Sequence, residues 1–214
     1  MQKISLSAVL PNVFENRTDI RSEVWQHDLC LEKGHTYLIE AQSGTGKSSL
    51  CSYLLGYRND YSGNIAFDER NLRSLSLAEW TTIRQRSLSM IFQELRLFPE
   101  LTAWENVQIK NQLTAHKSNA VLEEWFEALG IAEKMDAKVG RMSFGQQQRV
   151  ATIRALAQPF DFLIADEPIS HLDEVNSQAM AELIMKEVEA QGAGLIITSI
   201  GKHMELPYDK TLKL

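Results

Sequence analysis

A glycine-containing stretch between two predicted elements constrains this chain more than any other feature. It follows the apolar run Tyr37-Leu38-Ile39 and leads into apolar residues at helical spacing, so it joins a predicted strand to a predicted helix. In such a loop, successive backbone N–H groups turn inward around phosphate oxygens, and the positive end of the following helix points at them. The sequence therefore predicts a phosphate-binding loop that consists of Ala41, Gln42, Ser43, Gly44, Thr45, Gly46, Lys47, Ser48 and Ser49.

Two side chains of this loop add a charge and a metal ligand. Lys47 supplies a positive point charge, and the hydroxyl of Ser48 is predicted to ligate Mg²⁺. Ala41 stands where the GxxxxGK[ST] pattern has its first glycine, so this position needs a backbone conformation that an L-residue tolerates. The alternative is a Gly/Ser turn without a ligand. The order of strand, loop and helix favours the phosphate-binding loop.

A pair of adjacent carboxylates follows a second apolar strand, which is predicted over Phe160–Ala165. Neighbouring side chains diverge at the end of a strand. Asp166 can therefore hold Mg²⁺ beside Ser48, while Glu167 faces the phosphate and polarises an attacking water. The alternative is a solvated loop after a core strand.

Composition excludes several classes of partner. A net charge of −6 disfavours broad binding to nucleic acid or to anionic lipid. No apolar run approaches the roughly 18 residues that span a bilayer, and the first residues lack a signal-peptide core. We therefore expect a cytoplasmic chain that inserts into no membrane itself and reaches one only through another protein. Cys30 and Cys51 are far apart and are expected to be free thiols.

Periodicity along the chain predicts a mixed α/β fold. Alternating residues before position 11 and an extended stretch over Val24–Leu31 indicate an antiparallel sheet. Later strands alternate with helices, which is typical of a parallel sheet. The segment between these halves, roughly Glu94–Gly140, is mostly helical in pattern, and a helix is predicted at Gly145–Ala157.

A second motif identifies the family that the chain resembles. Residues 141–149 read RMSFGQQQR, which is similar to the LSGGQ signature of the ATP-binding subunit of ABC transporters, with Phe144 in place of the first glycine. Gln93 stands at the family's Q-loop, Asp166 and Glu167 at Walker B, and residues 170–173 at the D-loop. The resemblance covers essentially the whole chain.

The resemblance implies a fold and a domain organisation. The fold is α/β, with a RecA-like P-loop NTPase core, an antiparallel β subdomain and a helical insert. One ABC ATPase domain spans residues 1–214. Within it, residues 1–93 and 141–214 form the β subdomain and the core, and residues 94–140 form the helical subdomain.

The resemblance also implies a composite ATP site with Mg²⁺. Two copies sandwich ATP head to tail, so that each site combines the phosphate-binding loop of one subunit with the signature motif of the other. The implied catalytic residues are Glu167, Lys47, Gln93 and Ser199. The implied metal ligands are Ser48, Gln93 and Asp166. Beyond the loop, the implied nucleotide contacts are Phe14, Ser143, Phe144, Gly145, Gln146 and Asp173.

Two of these positions depart from the family or have alternatives. Phe14 is the candidate for stacking on adenine, with Trp25 as the second choice and a merely packed loop residue as the alternative. Ser199 stands where the family has a histidine. A serine donates a hydrogen bond but carries no positive charge, so slow turnover is expected. His203 lies four residues later and either reaches back or is a surface histidine.

The implied function is that of an ATP-hydrolysing subunit that drives separate integral membrane subunits from the inner face of the cell membrane. Residues 97–107, LFPELTAWENV, resemble the group that serves lipoprotein release, macrolide-type export or cell division. An alternative is an ATP-gated clamp or scaffold with slow hydrolysis. Soluble relatives that act on DNA or ribosomes have a coiled-coil insert or two cassettes, which this chain lacks. The substrate and its direction of transport are not encoded here.

Overall fold

The computed structural model describes residues 1–214, which form two sheets and six α-helices. The strands are β1 Lys3–Pro11, β2 Leu29–Glu32, β3 Thr36–Glu40, β4 Tyr61–Phe67, β5 Arg70–Asn71, β6 Leu88–Ile91, β7 Phe162–Asp166, β8 Gly194–Ser199 and β9 Lys210–Lys213. The helices are α1 Lys47–Leu54, α2 Leu77–Arg86, α3 Ala103–Thr114, α4 Asn119–Ala128, α5 Phe144–Leu156 and α6 Glu174–Ala190.

A five-stranded parallel sheet forms the centre of the molecule, in the order β6-β7-β8-β3-β9. Both faces of such a sheet are covered, so alternate side chains enter two different cores. Phe162 and Ile164 of β7 point into one core, with α1 and the antiparallel strands, whereas Leu163 and Ala165 point into the other, with α3 to α6. The predicted α/β architecture follows from this alternation.

The carboxyl ends of the parallel strands lie at one edge of the sheet. There β3 ends at Glu40, β7 at Asp166 and β8 at Ser199, and their registers place these ends side by side. Ligands of open parallel sheets bind at this edge. The phosphate-binding loop and the predicted carboxylates therefore meet there.

The antiparallel sheet has the order β2-β1-β4-β5 and contains a bulge. The pairing of β1 with β4 shifts between Ser7 and Leu10, and Ala8 has a φ of 47°. Gly63 lies opposite with a φ of 76°, and a Cβ there would be 2.3 Å from the carbonyl oxygen of Ala8. Only glycine fits this approach of two backbones.

Gly63→Ala is expected to lower the free energy of unfolding by about 3 kcal/mol or more, because the new Cβ adds a backbone clash to the cost of the left-handed conformation. Gly34→Ala is the matched control, since Gly34 has a φ of 83° but has nothing within 4 Å of its Cβ position. Its expected loss is about 1 kcal/mol, from strain alone. Urea unfolding measures both. Equal losses would contradict the close approach at Gly63.

Some local predictions from the sequence are corrected by the structure. Residues 24–28 are not a strand, although Gln26 and His27 still exchange backbone hydrogen bonds with Val9 and Ala8, and of the predicted stretch only Leu29–Leu31 belongs to the strand β2. The hydroxyl of Ser22 accepts hydrogen bonds from the backbone N–H groups of Val24 and Trp25, so the chain forms a local turn at these two residues. The helix α2 and the strand β9 were not predicted.

None of the six helices combines the length and the apolar composition that a membrane span needs.

Candidate functional site

The phosphate-binding loop connects β3 to α1 in the way that the sequence predicts. Gly44 and Gly46 have φ values of 82° and 98°, whereas Ala41 is not among the residues with a positive φ. Gly46 is the N-cap of α1 and is bonded by no capping side chain, so N–H groups of the first turn are left for an anion. Trp25 supports the loop from below, because its Nε1 donates to the carbonyl oxygen of Thr45 at 2.8 Å.

A buried charge cluster lies at the end of this loop. The ammonium of Lys47 is 2.6 Å from Oδ1 of Asp166 and 2.6 Å from Oε1 of Glu167, and it donates to Oε1 of Gln93 at 3.3 Å. The lysine side chain is only 6% exposed. Burial lowers the pKa of Lys47, but the hydrogen bonds to Asp166 and Glu167 outweigh it, and the net pKa is raised. The lysine is therefore charged at neutral pH.

Three predicted metal ligands line one small cavity of about 130 Å³. Ser48, Gln93 and Asp166 contribute a hydroxyl, an amide oxygen and a carboxylate to its wall. Oxygen donors of this kind suit Mg²⁺, which takes few protein ligands and completes its shell with phosphate and water. The chemistry of these three oxygen donors therefore fits the implied ion.

Thr198 is a member of the cluster that sequence reasoning missed. Its hydroxyl is fully buried and donates to Oδ1 of Asp166 at 2.5 Å. The signal is the strand register, because Thr198 is the β8 partner of Asp166 on β7. This bond fixes the rotamer of the carboxylate that faces Lys47 and Ser48.

Glu167 has a strained backbone. Its φ is 48°, in the left-handed region that non-glycine residues rarely occupy. Its N–H donates to the carbonyl oxygen of Thr198 at 2.9 Å, which continues the sheet by one residue before the chain turns. The turn brings its carboxylate, 14% exposed, to the same ammonium as Asp166. Such strain concentrates at functional sites.

The signature motif forms the N-terminus of α5. Ser143 caps the helix, and it shares a capping box with Gln146. A Cβ on Gly145 would be 3.2 Å from Cδ2 of Leu172, so the helix packs closely against the loop before α6. Phe144 is 42% exposed, and its ring centroid is 4.3 Å from that of His171 in the same loop.

This loop ends at Asp173, which is the N-cap of α6. The carboxylate of Asp173 accepts from the backbone N–H of Asn176 at 2.8 Å. No hydrogen bond or ion pair joins the signature residues 143–146 to the phosphate-binding loop of the same chain. The two halves of the implied ATP site are therefore separate in one copy.

Two side chains join α5 to the loop after β7 and to the first turn of α6. Nε2 of Gln148 donates to the carbonyl oxygens of Pro168 at 2.5 Å and Glu167 at 3.4 Å. Nη1 of Arg149 donates to Oδ1 of Asn176 at 2.7 Å. Both residues belong to the signature stretch, but their contacts could not be predicted from the sequence, because their partners are distant backbone carbonyls and a helix terminus. The signature helix is thus fastened to the segment that carries Glu167.

The family assignment agrees with this geometry. Residues 25–170 match the family model described as ABC transporter. This chain belongs to the ABC transporter family. The predicted fold class is confirmed, and so is the prediction of an ATP-hydrolysing, ATP-binding subunit of this family.

Curated relatives of the chain belong to the same class of ABC subunit. The lipoprotein-releasing system ATP-binding protein LolD of Syntrophotalea carbinolica is 31% identical over 201 residues, with 92% of this chain and 87% of the relative covered. The uncharacterised ABC transporter ATP-binding protein YbbA of Escherichia coli K12 is 29% identical, with 87% of this chain and 83% of the relative covered.

Two solved structures of the ATP-binding cassette MJ0796 are also similar. A dimeric post-hydrolysis state bound to ADP and phosphate has a TM-score of 0.74 and 27% identity, and a second dimeric structure, described as a bacterial ABC transporter cassette, has a TM-score of 0.77 and 26% identity. Each covers 92% of this chain and 87% of the solved chain.

Several implied contacts of this ABC subunit lie apart from the charge cluster. The hydroxyl of Ser199 is buried and donates to the carbonyl oxygen of Lys202 at 2.5 Å. Ser49 is buried on the other side of α1, where its Oγ accepts from Arg58 at 3.1 Å. Phe14 lies under the phosphate-binding loop and is 8% exposed. The roles implied for these three residues stay predictions.

Proposed function

We propose that this chain binds Mg-ATP at the carboxyl edge of its parallel sheet and hydrolyses it as the motor subunit of a membrane complex. The observation that carries the proposal is the placement of Lys47 between Asp166, Glu167 and Gln93 at the end of a loop with uncapped helix N–H groups. Charge at this point is useful for phosphoryl transfer, which depends on positioning and electrostatics rather than on covalent chemistry.

Each residue of the cluster has a distinct part in this proposal. Lys47 exchanges a carboxylate for a phosphate oxygen when the nucleotide binds. Ser48, Gln93 and Asp166 hold Mg²⁺, which would neutralise charge on the phosphates. The carboxylate of Glu167 then becomes available to accept a hydrogen bond from the attacking water.

The signature residues act in the site of a second copy. The N-terminus of α5 carries N–H dipoles and the exposed Ser143, and nothing in its own chain places them near the phosphate-binding loop. A head-to-tail pair supplies the missing half of each site. The dimeric state of the similar cassettes supports this arrangement.

Ser143→Arg tests the head-to-tail arrangement, because it places bulk and charge in the proposed seam. In a Glu167→Gln background with Mg-ATP, light scattering is expected to find Ser143→Arg monomeric, although the monomer still binds ATP. Ser76→Arg is the matched control, since Ser76 is also an exposed N-cap with a capping box, at α2. It is expected to dimerise normally. Equal dimerisation of both variants would refute the arrangement.

We further propose that residues 94–140 form a helical subdomain that docks separate integral membrane subunits at the cytoplasmic face. This segment carries three exposed large apolar side chains, Phe98, Ile109 and Leu113. Exposed apolar surface of this kind indicates a protein partner when it is contiguous. The relatives named LolD support lipoprotein release or export as the task of the complex.

Affinity capture of the tagged chain from native membranes, with ATP and mild detergent, tests this part. A stoichiometric membrane protein identified by mass spectrometry supports the transporter assignment, and its periplasmic domain would indicate the substrate. Replacing Phe98 and Leu113 by serine is expected to release it. Recovery of this chain alone, from soluble and membrane fractions alike, would contradict docking.

A second candidate function is an ATP-gated clamp in which closure rather than hydrolysis is the output. The observation that favours it is the hydroxyl of Ser199, which donates within its own loop instead of toward the charge cluster. Dimerisation on ATP without measurable release of phosphate by the wild-type chain would favour this clamp over a motor.

A further inference from the structure

Phe144 and His171 form a pair of rings on the exposed side of the signature motif. Phe144 stands where the family signature has a glycine, and His171 lies in the loop before α6. Their ring centroids are 4.3 Å apart, with an angle of 59° between the ring planes. The carbonyl oxygen of His171 is also 3.4 Å from the Cβ position of Gly145. His171 is therefore part of the surface that the signature residues form at the N-terminus of α5.

The imidazole of His171 is held by its neighbours and keeps one nitrogen without a partner. Its Nδ1 lies 2.8 Å from Oγ of Ser170, and Phe144 packs against the ring. Nε2 takes part in no hydrogen bond or ion pair of the chain, and the residue is exposed. No such contact joins His171 to the charge cluster of its own chain. Nε2 is therefore available to a group outside this copy.

The end of β8 presents no free positive charge to the charge cluster. Ser199, which stands where the family has a histidine, donates its hydroxyl to the carbonyl oxygen of Lys202 at 2.5 Å. The ammonium of Lys202 donates in turn to the carbonyl oxygen of Leu172 at 3.0 Å, so it is already engaged. Within the cluster itself, Lys47 is the only cation. A second positive charge at the phosphates has to come from another part of the assembly.

We propose that Nε2 of His171 donates a hydrogen bond to the γ-phosphate of the ATP that the other copy binds, and so supplies the charge that Ser199 lacks. The inference rests on the proposed head-to-tail pair, because there the signature surface of one copy reaches the nucleotide of the other. Histidine is the side chain that gains a proton most readily near neutral pH, and an imidazolium donates from both nitrogens. Phe144 packs against the imidazole and limits its orientations.

His171 acts in this step through its charge alone. The water gives its proton to Glu167, its oxygen bonds to the γ-phosphorus, and the bond from that phosphorus to the bridging oxygen of ADP breaks. Negative charge is spread over the oxygens of the transferred phosphoryl group during this exchange. A positively charged donor stabilises that charge more than the neutral hydroxyl of a serine does. His171 forms no bond to phosphorus and keeps its proton.

Steady-state release of phosphate from the full chain with Mg-ATP tests the role of this charge. His171→Phe keeps an aromatic ring against Phe144 and is expected to lower turnover about 30-fold, somewhat less than the loss caused by removing a buried donor to a developing charge. His171→Arg keeps a positive donor and is expected to retain at least about a third of wild-type turnover. His27→Ala is the matched control, because it removes another exposed histidine, in the segment before β2, and should leave turnover unchanged.

Mixtures of two variants test whether His171 acts across the seam. Glu167→Gln and His171→Phe are each expected to be slow alone. A mixed pair, however, contains one site in which Glu167 of one chain and His171 of the other are both intact. The mixture is therefore expected to release more phosphate than the two variants do separately. Asp166→Asn mixed with Glu167→Gln is the control, since both changes fall in the same half of a site, and no gain is expected.

Four results would overturn the inference. Wild-type turnover in His171→Phe would show that the charge has no role. No gain in the mixture of Glu167→Gln with His171→Phe would exclude action across the seam. A larger loss in His203→Ala than in His171→Phe would make His203 the donor. Failure of the double variant Glu167→Gln with His171→Phe to dimerise on Mg-ATP, where Glu167→Gln alone dimerises, would make His171 a seam contact. Absence of phosphate release by the wild-type chain would instead refute the proposed function on which the inference rests.

Discussion

Glu167→Gln is expected to reduce ATP turnover at least about 100-fold, which is the lower range for loss of a general base, while ATP binding is retained. The substitution keeps the shape of the side chain and removes its charge. In the structure this carboxylate shares the ammonium of Lys47 with Asp166, so a neutral amide leaves Lys47 with one strong acceptor and leaves it freer to bind phosphate.

Phosphate release in the presence of Mg-ATP measures the turnover of Glu167→Gln, and nucleotide titration measures its ATP binding. Glu123→Gln neutralises an exposed carboxylate on α4 and should leave both unchanged. Retention of more than about a tenth of wild-type turnover in Glu167→Gln would exclude this residue as the group that activates water, since even a weak general base contributes about 100-fold.

Lys47→Ala is expected to damage both the fold and the site. Asp166 and Glu167 would lose their common cation while their side chains stay 8% and 14% exposed. Removal of one partner from a buried ion pair costs about 3–5 kcal/mol, because the remaining charge is uncompensated. ATP binding should weaken about 30-fold or more, since a charged contact in a desolvated site contributes about 2–5 kcal/mol.

Urea unfolding without nucleotide measures the loss of stability in Lys47→Ala separately from the loss of ATP binding. The double variant Lys47→Ala with Glu167→Gln should recover part of the lost stability, because it carries one buried carboxylate fewer. Lys3→Ala breaks the exposed pair with Glu69 and serves as the surface control, with no measurable loss expected. If Lys47→Ala unfolds at the wild-type urea concentration, the buried pair contributes nothing to stability.

The stabilising contribution of Lys47 also has a defined pH range. The pKa of Lys47 is raised in the folded chain, through hydrogen bonds to the two carboxylates that outweigh burial. A raised pKa contributes stability that is fully present below the unfolded pKa, about 10.4 for lysine, and that is lost as the pH rises through the folded value. Physiological pH therefore leaves this contribution intact.

The sequence was sufficient to predict that Lys47, Asp166 and Glu167 lie in one site. Asp166 ends β7, Glu167 follows it, and Lys47 begins the helix after the loop that leaves β3. Since parallel strands end at one edge of a sheet, the three were expected to meet there. Thr198 could not be found in this way, because its role depends on the register of β8 against β7. A one-residue shift of that register would have placed its hydroxyl on the opposite face.

Predictions that depended on the surroundings of a side chain were less complete. The position of Phe14 ahead of the phosphate-binding loop predicts a contact with adenine, and this stays a prediction. The packing of its ring against Gly46 could not be predicted from the sequence. The helix α2 carries a clear capping box between Ser76 and Glu79, yet only Trp80 of its ten residues is buried. The apolar residues of α2 therefore show too little helical periodicity for the helix to be predicted from the sequence.

The links of Gln148 and Arg149 have a consequence for how two ATP molecules are used. In the proposed pair, α5 of each chain contacts one nucleotide, whereas Glu167 of the same chain faces the other. Since Nε2 of Gln148 donates to the carbonyl oxygens of Glu167 and Pro168, the signature helix and the segment of Glu167 are linked directly. In the proposed pair, movement of a chain away from one nucleotide is therefore expected to shift Glu167 at the other. We therefore expect ATP hydrolysis at the two sites of the pair to be cooperative rather than independent.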